Sequence, residues 1–166
     1  MIIEAAKKLS GTRKNIQFIL CGDGPHKSRL QEQGIGLSNV HFLGVQSDER
    51  FVQLLNTADI HLIPQRAEAA DLVLPSKLGG IFASGRPVIT MAAPNTGLAD
   101  EVVNSGIVVA PGDADALAGA VQTLADDVDL RHRLGESARR RAVERWGKTS
   151  ILKLLVRDLA ALGDHK

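Results

Sequence analysis

Short apolar runs that alternate with stretches of helical periodicity constrain this chain more than any other feature. The runs lie at residues 16–21, 39–44, 58–64, 87–91 and 107–109. Each is short for a helix, and most stop against glycine or proline, so they read as strands. Between and after them the pattern is helical. Ile2, Ile3, Ala6 and Leu9 share one face of a helix over 1–10 that Gly11 ends, and 28–33 form a second. Ser47-Asp48 opens a third carrying Phe51, Leu54 and Leu55, and Ser76 to Ala83 form a fourth that Gly85 closes. Asp113 starts another with Leu117, Val121 and Leu124 on one face. Two more finish the chain, about 130–146 and 149–162, with Gly147 between them. Asn95-Thr96-Gly97 is expected as a loop.

Strands joined by helical crossovers are parallel, cross right-handed, and need cover on both faces. The expected fold is therefore α/β, a doubly wound, Rossmann-like parallel sheet forming one domain over 1–166. Composition agrees where it bears on the question: 44% of residues are apolar, with four Phe, one Trp and no Tyr. Small residues suit helices lying on a sheet, and so few aromatics offer no stacking platform for bases. A formal charge of +1 supplies no field for nucleic acid. The single Cys21 excludes an intramolecular disulfide and any multi-cysteine metal site, which fits a reducing, cytoplasmic setting. No apolar run reaches the roughly 18–20 residues of a membrane-spanning helix, and the first residues lack a signal-peptide pattern. No capping residue precedes Met1, so the first helix is expected to continue from a longer polypeptide.

In doubly wound sheets ligands bind beyond the carboxyl ends of the strands. Here those ends carry Gly22-Asp23-Gly24, Gly44-Val45, Pro64 and the 95–97 loop. Gly22-Asp23-Gly24-Pro25 falls short of a dinucleotide fingerprint, because position 27 is Lys27 rather than glycine and no acid ends the next strand. No nicotinamide cofactor is expected. Pro75-Ser76 opens a helix with Lys77 beside it, an arrangement that suits a phosphate and equally suits an ordinary N-cap with a solvated lysine. The histidines His26, His41, His61, His132 and His165 have no zinc-type spacing, so no metal is assigned; His41 and His61 read as satisfied strand residues. No nucleophile elbow is present. Arg131, Arg133, Arg139, Arg140, Arg141, Arg145 and Lys148 make the late helices basic, either as a solvated face or as a contact for anionic lipid or another polyanion.

Taken in order, Ile3-Glu4-Ala5-Ala6-Lys7, the stretch 18–25, the stretch 39–44, the stretch 58–64, Pro75-Ser76-Lys77-Leu78 and 83–89 resemble the group 1 glycosyltransferases of family 4. So do 108–118 and the arginine-rich helix ending at Trp146, so the resemblance covers essentially the whole chain and is nearest to the colanic-acid type of exopolysaccharide enzyme. The resemblance implies a GT-B protein, of which this chain is the C-terminal, nucleotide-sugar-binding domain. It also implies that an N-terminal acceptor domain and the first strand of the C-terminal domain precede Met1.

By position it places Gly22, Asp23 and Gly24 at the donor-facing rim, Val45 where the backbone meets the nucleobase, and Ser76, Lys77 and Leu78 toward the donor diphosphate. Gly80 stands where many members carry the ribose-binding glutamate. Leu72 stands where they carry its partner eight residues earlier, and the nearby Glu68 and Asp71 are at the wrong offsets. The implied reaction is retaining transfer of a sugar from a UDP- or GDP-based donor to a cell-surface polysaccharide or lipid-linked glycan, with the donor as substrate and no cofactor. Peripheral contact with the inner face of the membrane goes with that role. No catalytic residue is assigned. The alternatives are a GT-B nucleotide-sugar epimerase, which needs an acid/base cluster that the sequence lacks, and a non-catalytic binding or assembly module docked through the basic helices.

Overall fold

The computed structural model describes residues 1–65 and 74–163. Its elements follow the expected alternation. Strands β1 (Phe18–Cys21) and β2 (Val40–Leu43) pair in parallel, with Phe18 opposite Val40 and Cys21 opposite Leu43. Strands β3 (His61–Pro64), β4 (Val88–Met91) and β5 (Gly106–Val109) form a second parallel sheet in that order, with His61 opposite Val88 and Val88 opposite Gly106. The parallel α/β class is thus as expected, but hydrogen bonding divides the strands into a pair and a triplet.

The helices are α1 (Ile2–Ser10), α2 (Lys27–Gln33), α3 (Asp48–Thr57), α4 (Lys77–Ala83), α5 (Gly97–Val102), α6 (Ala114–Asp126), α7 (Val128–Trp146) and α8 (Lys148–Gly163). Two caps form as their residues dictate: Asp113 Oδ1 accepts from Ala116 N–H at 2.8 Å, and Asp127 Oδ1 accepts from Leu130 N–H at 2.7 Å. Gly11 ends α1 in a right-handed conformation, and an added Cβ there would meet nothing within 4 Å, so neither φ nor space demands glycine at this cap.

The expected loop holds at Asn95 and Thr96, but a helix that was not foreseen, α5, starts at Gly97. Thr96 caps it, accepting from Ala99 N–H at 3.4 Å and donating to Ala93 O at 2.9 Å, and Leu98, Ala99 and Val102 are buried beneath it. At six residues it has too few turns for periodicity to announce it.

Strand β4 is buried at every position and divides the core by its two-residue period. Ile89 and Met91 enter one cluster, with α1 and α6 over Phe18 of β1. Val88 enters the other, beneath α4, α5 and α7, with Leu55 of α3 at its margin. Phe82 and Leu78 anchor that second cluster from α4, and each contributes about 2–3 kcal/mol of burial. Helix α4 is therefore a fixed part of the structure.

Helix α7 locks α4 in place by close approach. A Cβ on Gly135 would lie 2.2 Å from Gly85 O, so only glycine lets the helix touch the turn that ends α4. Gly85 itself has φ +70°, a left-handed conformation suited to glycine. Arg139 Nη1 donates to Ala83 O at 2.5 Å and so satisfies a carbonyl at the end of α4.

Candidate functional site

The chain turns at the ends of β1 and β2 are tied to each other. Gly22 N–H donates to Leu43 O at 3.2 Å, Cys21 Sγ to Gly44 O at 3.3 Å, and Gln46 Nε2 to the same Gly44 O at 2.9 Å. Gly22 has φ +128°, which L side chains rarely adopt, so the turn requires glycine there. Asp23 faces inward on its own turn: its Oδ1 accepts from Gly24 N–H at 3.0 Å and lies 3.6 Å from Lys27 Nζ. Lys27, the residue that spoils the dinucleotide pattern, starts α2 and balances Asp23. No described atom lies within 4 Å of where a Cβ would stand on Gly22, Gly24 or Gly44, and Val45 is 75% exposed. The result is a bare, backbone-lined shelf formed by two adjacent strand ends.

The remaining candidates lie on α4. Ser76 has helical dihedrals and makes no side-chain cap bond, and Leu78 N–H is taken up by Pro75 O at 2.9 Å. Leu78's side chain is core, so of the expected trio only Ser76 and Lys77 present side chains to solvent. Lys77 is exposed and makes no hydrogen bond or ion pair with a described residue. With seven residues α4 has a short dipole, so the point charge of Lys77 carries the electrostatics there. Gly80 is exposed one turn later, where a Cβ would meet Leu55 Cδ1 at 3.5 Å. Leu72, Glu68 and Asp71 lie outside the described residues.

The remaining sequence candidates are absorbed by structure. His41 Nε2 meets Gln17 Oε1 at 2.7 Å. His61 Nε2 meets Leu55 O at 3.0 Å and Ser84 Oγ at 3.3 Å, and burial holds its pKa below the ordinary imidazole value. Both are satisfied strand histidines, as the sequence led one to expect. Among the described residues no cluster of three His, Cys, Asp or Glu side chains forms.

The basic helix is largely spent on the fold. Arg131 Nη1 caps the end of α6 through Leu124 O at 2.6 Å and Ala125 O at 3.2 Å. Arg141 Nε donates to Glu101 Oε1 at 2.8 Å, and Arg145 Nη1 lies 3.3 Å from Glu101 Oε2. Sequence reasoning missed Glu101, whose side chain is 4% exposed and pins α5 to α7. Its one signal is an acid amid buried positions of a helix that was not itself foreseen. With Arg139 bound to α4, the arginines left over for a polyanion are Arg133 and Arg140.

Residues 1–127 match the family described as group 1 glycosyl transferases. The sequence is 33% identical over 164 residues to the putative colanic acid biosynthesis glycosyl transferase WcaI of Escherichia coli K12, covering 95% of this chain and 39% of that protein. Among solved structures, the WaaG glycosyltransferase of lipopolysaccharide biosynthesis superposes with a TM-score of 0.67 at 28% identity, covering 92% of this chain and 41% of WaaG. Anabaena Alr3699/HepE, crystallised with UDP-glucose, superposes with a TM-score of 0.75 at 22% identity over 95% of this chain and 44% of HepE. The chain thus spans less than half the length of these relatives, and the last likeness is one of fold.

Proposed function

The chain belongs to the group 1 glycosyl transferases, and from that premise we propose that it is the nucleotide-sugar donor-binding half of a retaining glycosyltransferase. The donor is a UDP- or GDP-based sugar, and the acceptor is a cell-surface polysaccharide or a lipid-linked glycan met through another part of the full protein. The carrying observation is Lys77, an unpartnered cation among the described residues, set at the start of α4 on the strand-end side of the fold. The bare turns at Gly22, Gly24 and Gly44-Val45 support it by leaving space in which a ligand can come close to the main chain. Fold likeness to a protein crystallised with UDP-glucose supports a nucleotide sugar over a free phosphate.

The chemistry follows from charge. As the glycosidic bond of the donor breaks, negative charge gathers on the departing diphosphate, and an ammonium group carried on a fixed helix stabilises that charge more than it stabilises the ground state. Lys77 supplies the charge from a helix that is itself anchored in the core through Leu78 and Phe82. The open glycine turns let the ligand approach the main chain closely. Acceptor activation is assigned to the rest of the protein, so the chain alone binds donor without turning it over at an intact enzyme's rate.

Isothermal titration with UDP, GDP and ADP, on the chain and on Lys77→Ala, tests the reading. UDP or GDP is expected to bind, and the substitution to weaken binding about five- to tenfold, the loss of one charge-assisted contact. Binding by none of the three nucleotides, or equal binding by both proteins, overturns the assignment.

A further inference from the structure

The peptide group that joins Gly44 to Val45 is held by two side chains. Its carbonyl, Gly44 O, accepts from Cys21 Sγ at 3.3 Å and from Gln46 Nε2 at 2.9 Å, which takes up both lone pairs. The preceding peptide is held as well, because Leu43 O accepts from Gly22 N–H at 3.2 Å. Cys21 and Gln46 are half-buried, whereas Gly44 is exposed. Water can satisfy an exposed carbonyl, so hydrogen-bond balance does not demand two protein donors there. What the two donors add is orientation. A trans peptide is planar, with its N–H pointing opposite to its C=O. Fixing Gly44 O against the end of β1 therefore turns Val45 N–H away from that strand. This N–H has no partner among the described residues, and Val45 is 75% exposed.

Charge decides which end of a nucleotide sugar meets this N–H. At the neighbouring turn Lys27 Nζ lies 3.6 Å from Asp23 Oδ1, so the cation there is balanced. Lys77 on α4 has no such partner among the described residues. The diphosphate goes to the free cation, which leaves the uncharged base for the shelf at the ends of β1 and β2.

We propose that Cys21 and Gln46 are positioning residues for the nucleobase of the donor: by holding Gly44 O they aim Val45 N–H at an acceptor atom of the base. The two side chains act through the peptide and not on the ligand. A donor aimed in advance loses no freedom when the ligand arrives, so the arrangement favours binding without adding a contact of its own. Each side chain alone still holds the carbonyl, so the pair acts redundantly. The inference rests on the donor reading above and adds to it the groups that set the direction of the main-chain contact.

Titration of the whole chain with UDP or GDP, whichever the wild type binds more tightly, tests this on variants of similar size. Cys21→Val and Gln46→Met each remove a donor without emptying the site. Each alone is expected to weaken binding by less than about twofold, and the two together by about five- to tenfold, more than the product of the single effects. Cys21→Ser in place of Cys21→Val returns an O–H donor and should bring binding back to within about twofold of Gln46→Met alone. Lys77→Ala should weaken the double variant by the same factor as the wild type, since the two places hold opposite ends of the ligand. Proton–nitrogen correlation spectra give a readout that needs no variant: saturating nucleotide should move the Val45 amide proton of the wild type downfield. In the double variant that shift should be largely lost.

Four results overturn the proposal. They are a Val45 amide that does not respond in the wild type, a double variant that binds like the wild type, a Cys21→Ser change that restores nothing, and the whole loss arising in Gln46→Met alone, which means that Gln46 touches the base itself. If the wild type binds neither nucleotide, the donor reading fails and this inference with it. If Lys77→Ala weakens binding and the double variant does not, this inference fails alone.

Discussion

Gly135→Ala and Gly119→Ala are chemically the same change, placed one on α7 and one on α6, and the structure gives them opposite signs. At Gly135 the new methyl would stand 2.2 Å from Gly85 O and 3.1 Å from Gly85 C. Ordinary carbon–oxygen contact is on the order of 3.3 Å, so roughly 1 Å of main-chain movement is required, and no side-chain rotamer can supply it. Overpacking of that kind costs about 1–3 kcal/mol, and a clash between two backbones belongs at the upper end. Alanine returns about 1 kcal/mol through its helix propensity, leaving a net loss of about 2 kcal/mol. Gly119 has no atom within 4 Å of the added methyl and is exposed, so there the propensity gain of up to about 1 kcal/mol stands alone. Urea denaturation followed by circular dichroism reads both values from the midpoints at constant slope. The reasoning fails if Gly135→Ala matches or exceeds the wild type in stability, or if Gly119→Ala loses as much as Gly135→Ala. A loss at Gly135 should also move α4, so Gly135→Ala is expected to weaken nucleotide binding at a site it does not touch.

Arg141→Met should cost about 3 kcal/mol, because it strips the nearest partner from a carboxylate that is 4% exposed, whereas Glu101→Gln should cost about 1–2 kcal/mol since the freed guanidinium groups reach solvent. The double substitution Glu101→Met with Arg141→Met should lose less than the sum of the corresponding single ones, and strict additivity in a double-mutant cycle would contradict the buried pair. Burial depresses the His61 pKa below 6.5 in the folded state, so the unfolded chain binds the extra proton first. Stability is then full above about pH 6.5 and declines as pH falls from there through the folded pKa; urea midpoints between pH 7.5 and pH 5 should show this slope, and His61→Gln should flatten it. Gly80→Glu places a carboxylate at an exposed position one turn beyond Lys77 and should tighten UDP about fivefold through hydroxyl contacts; unchanged affinity would move the ribose away from α4.

The elements that sequence made legible are those whose signal is local. The runs that became β1 to β5 carry their own apolar pattern, and α6 announces itself through Asp113 and the spacing of Leu117, Val121 and Leu124. Helix α5 was opaque because six residues hold fewer than two turns, and its stability comes from burial of Leu98 and Val102 and from Glu101 reaching α7. The arginines of α7 read as one basic face, while their actual partners, Leu124, Ala83 and Glu101, lie 7, 56 and 40 residues away in sequence. A charge pattern cannot distinguish an arginine facing water from one facing a distant carbonyl. For the candidate site, glycine turns after strands are visible as letters. That Leu78 turns into the core while Lys77 stays free is a matter of which face of a two-turn helix meets β3 and β4.

Helix α4 gathers these distinctions into one argument. From below, Leu78, Ile81 and Phe82 hold it in the core. From behind, Arg139 ties the Ala83 carbonyl and Gly135 admits α7 to within backbone contact of Gly85. From β3, His61 meets Ser84, which itself donates to Ile81 O at 2.6 Å. The ties from Arg139 and His61 and the close approach of α7 therefore fall on the C-terminal end of the helix or its following turn, and Lys77 at the other end makes no hydrogen bond or ion pair with a described residue. A cation fixed by its backbone but free at its ammonium group loses little on meeting an anionic ligand, since the helix is already ordered and no protein partner must be displaced. That division is why substitutions at Gly135, Arg139 or His61 should act on nucleotide binding only through stability or helix position, whereas Lys77→Ala should leave the urea midpoint within about 0.5 kcal/mol of the wild type and change binding alone.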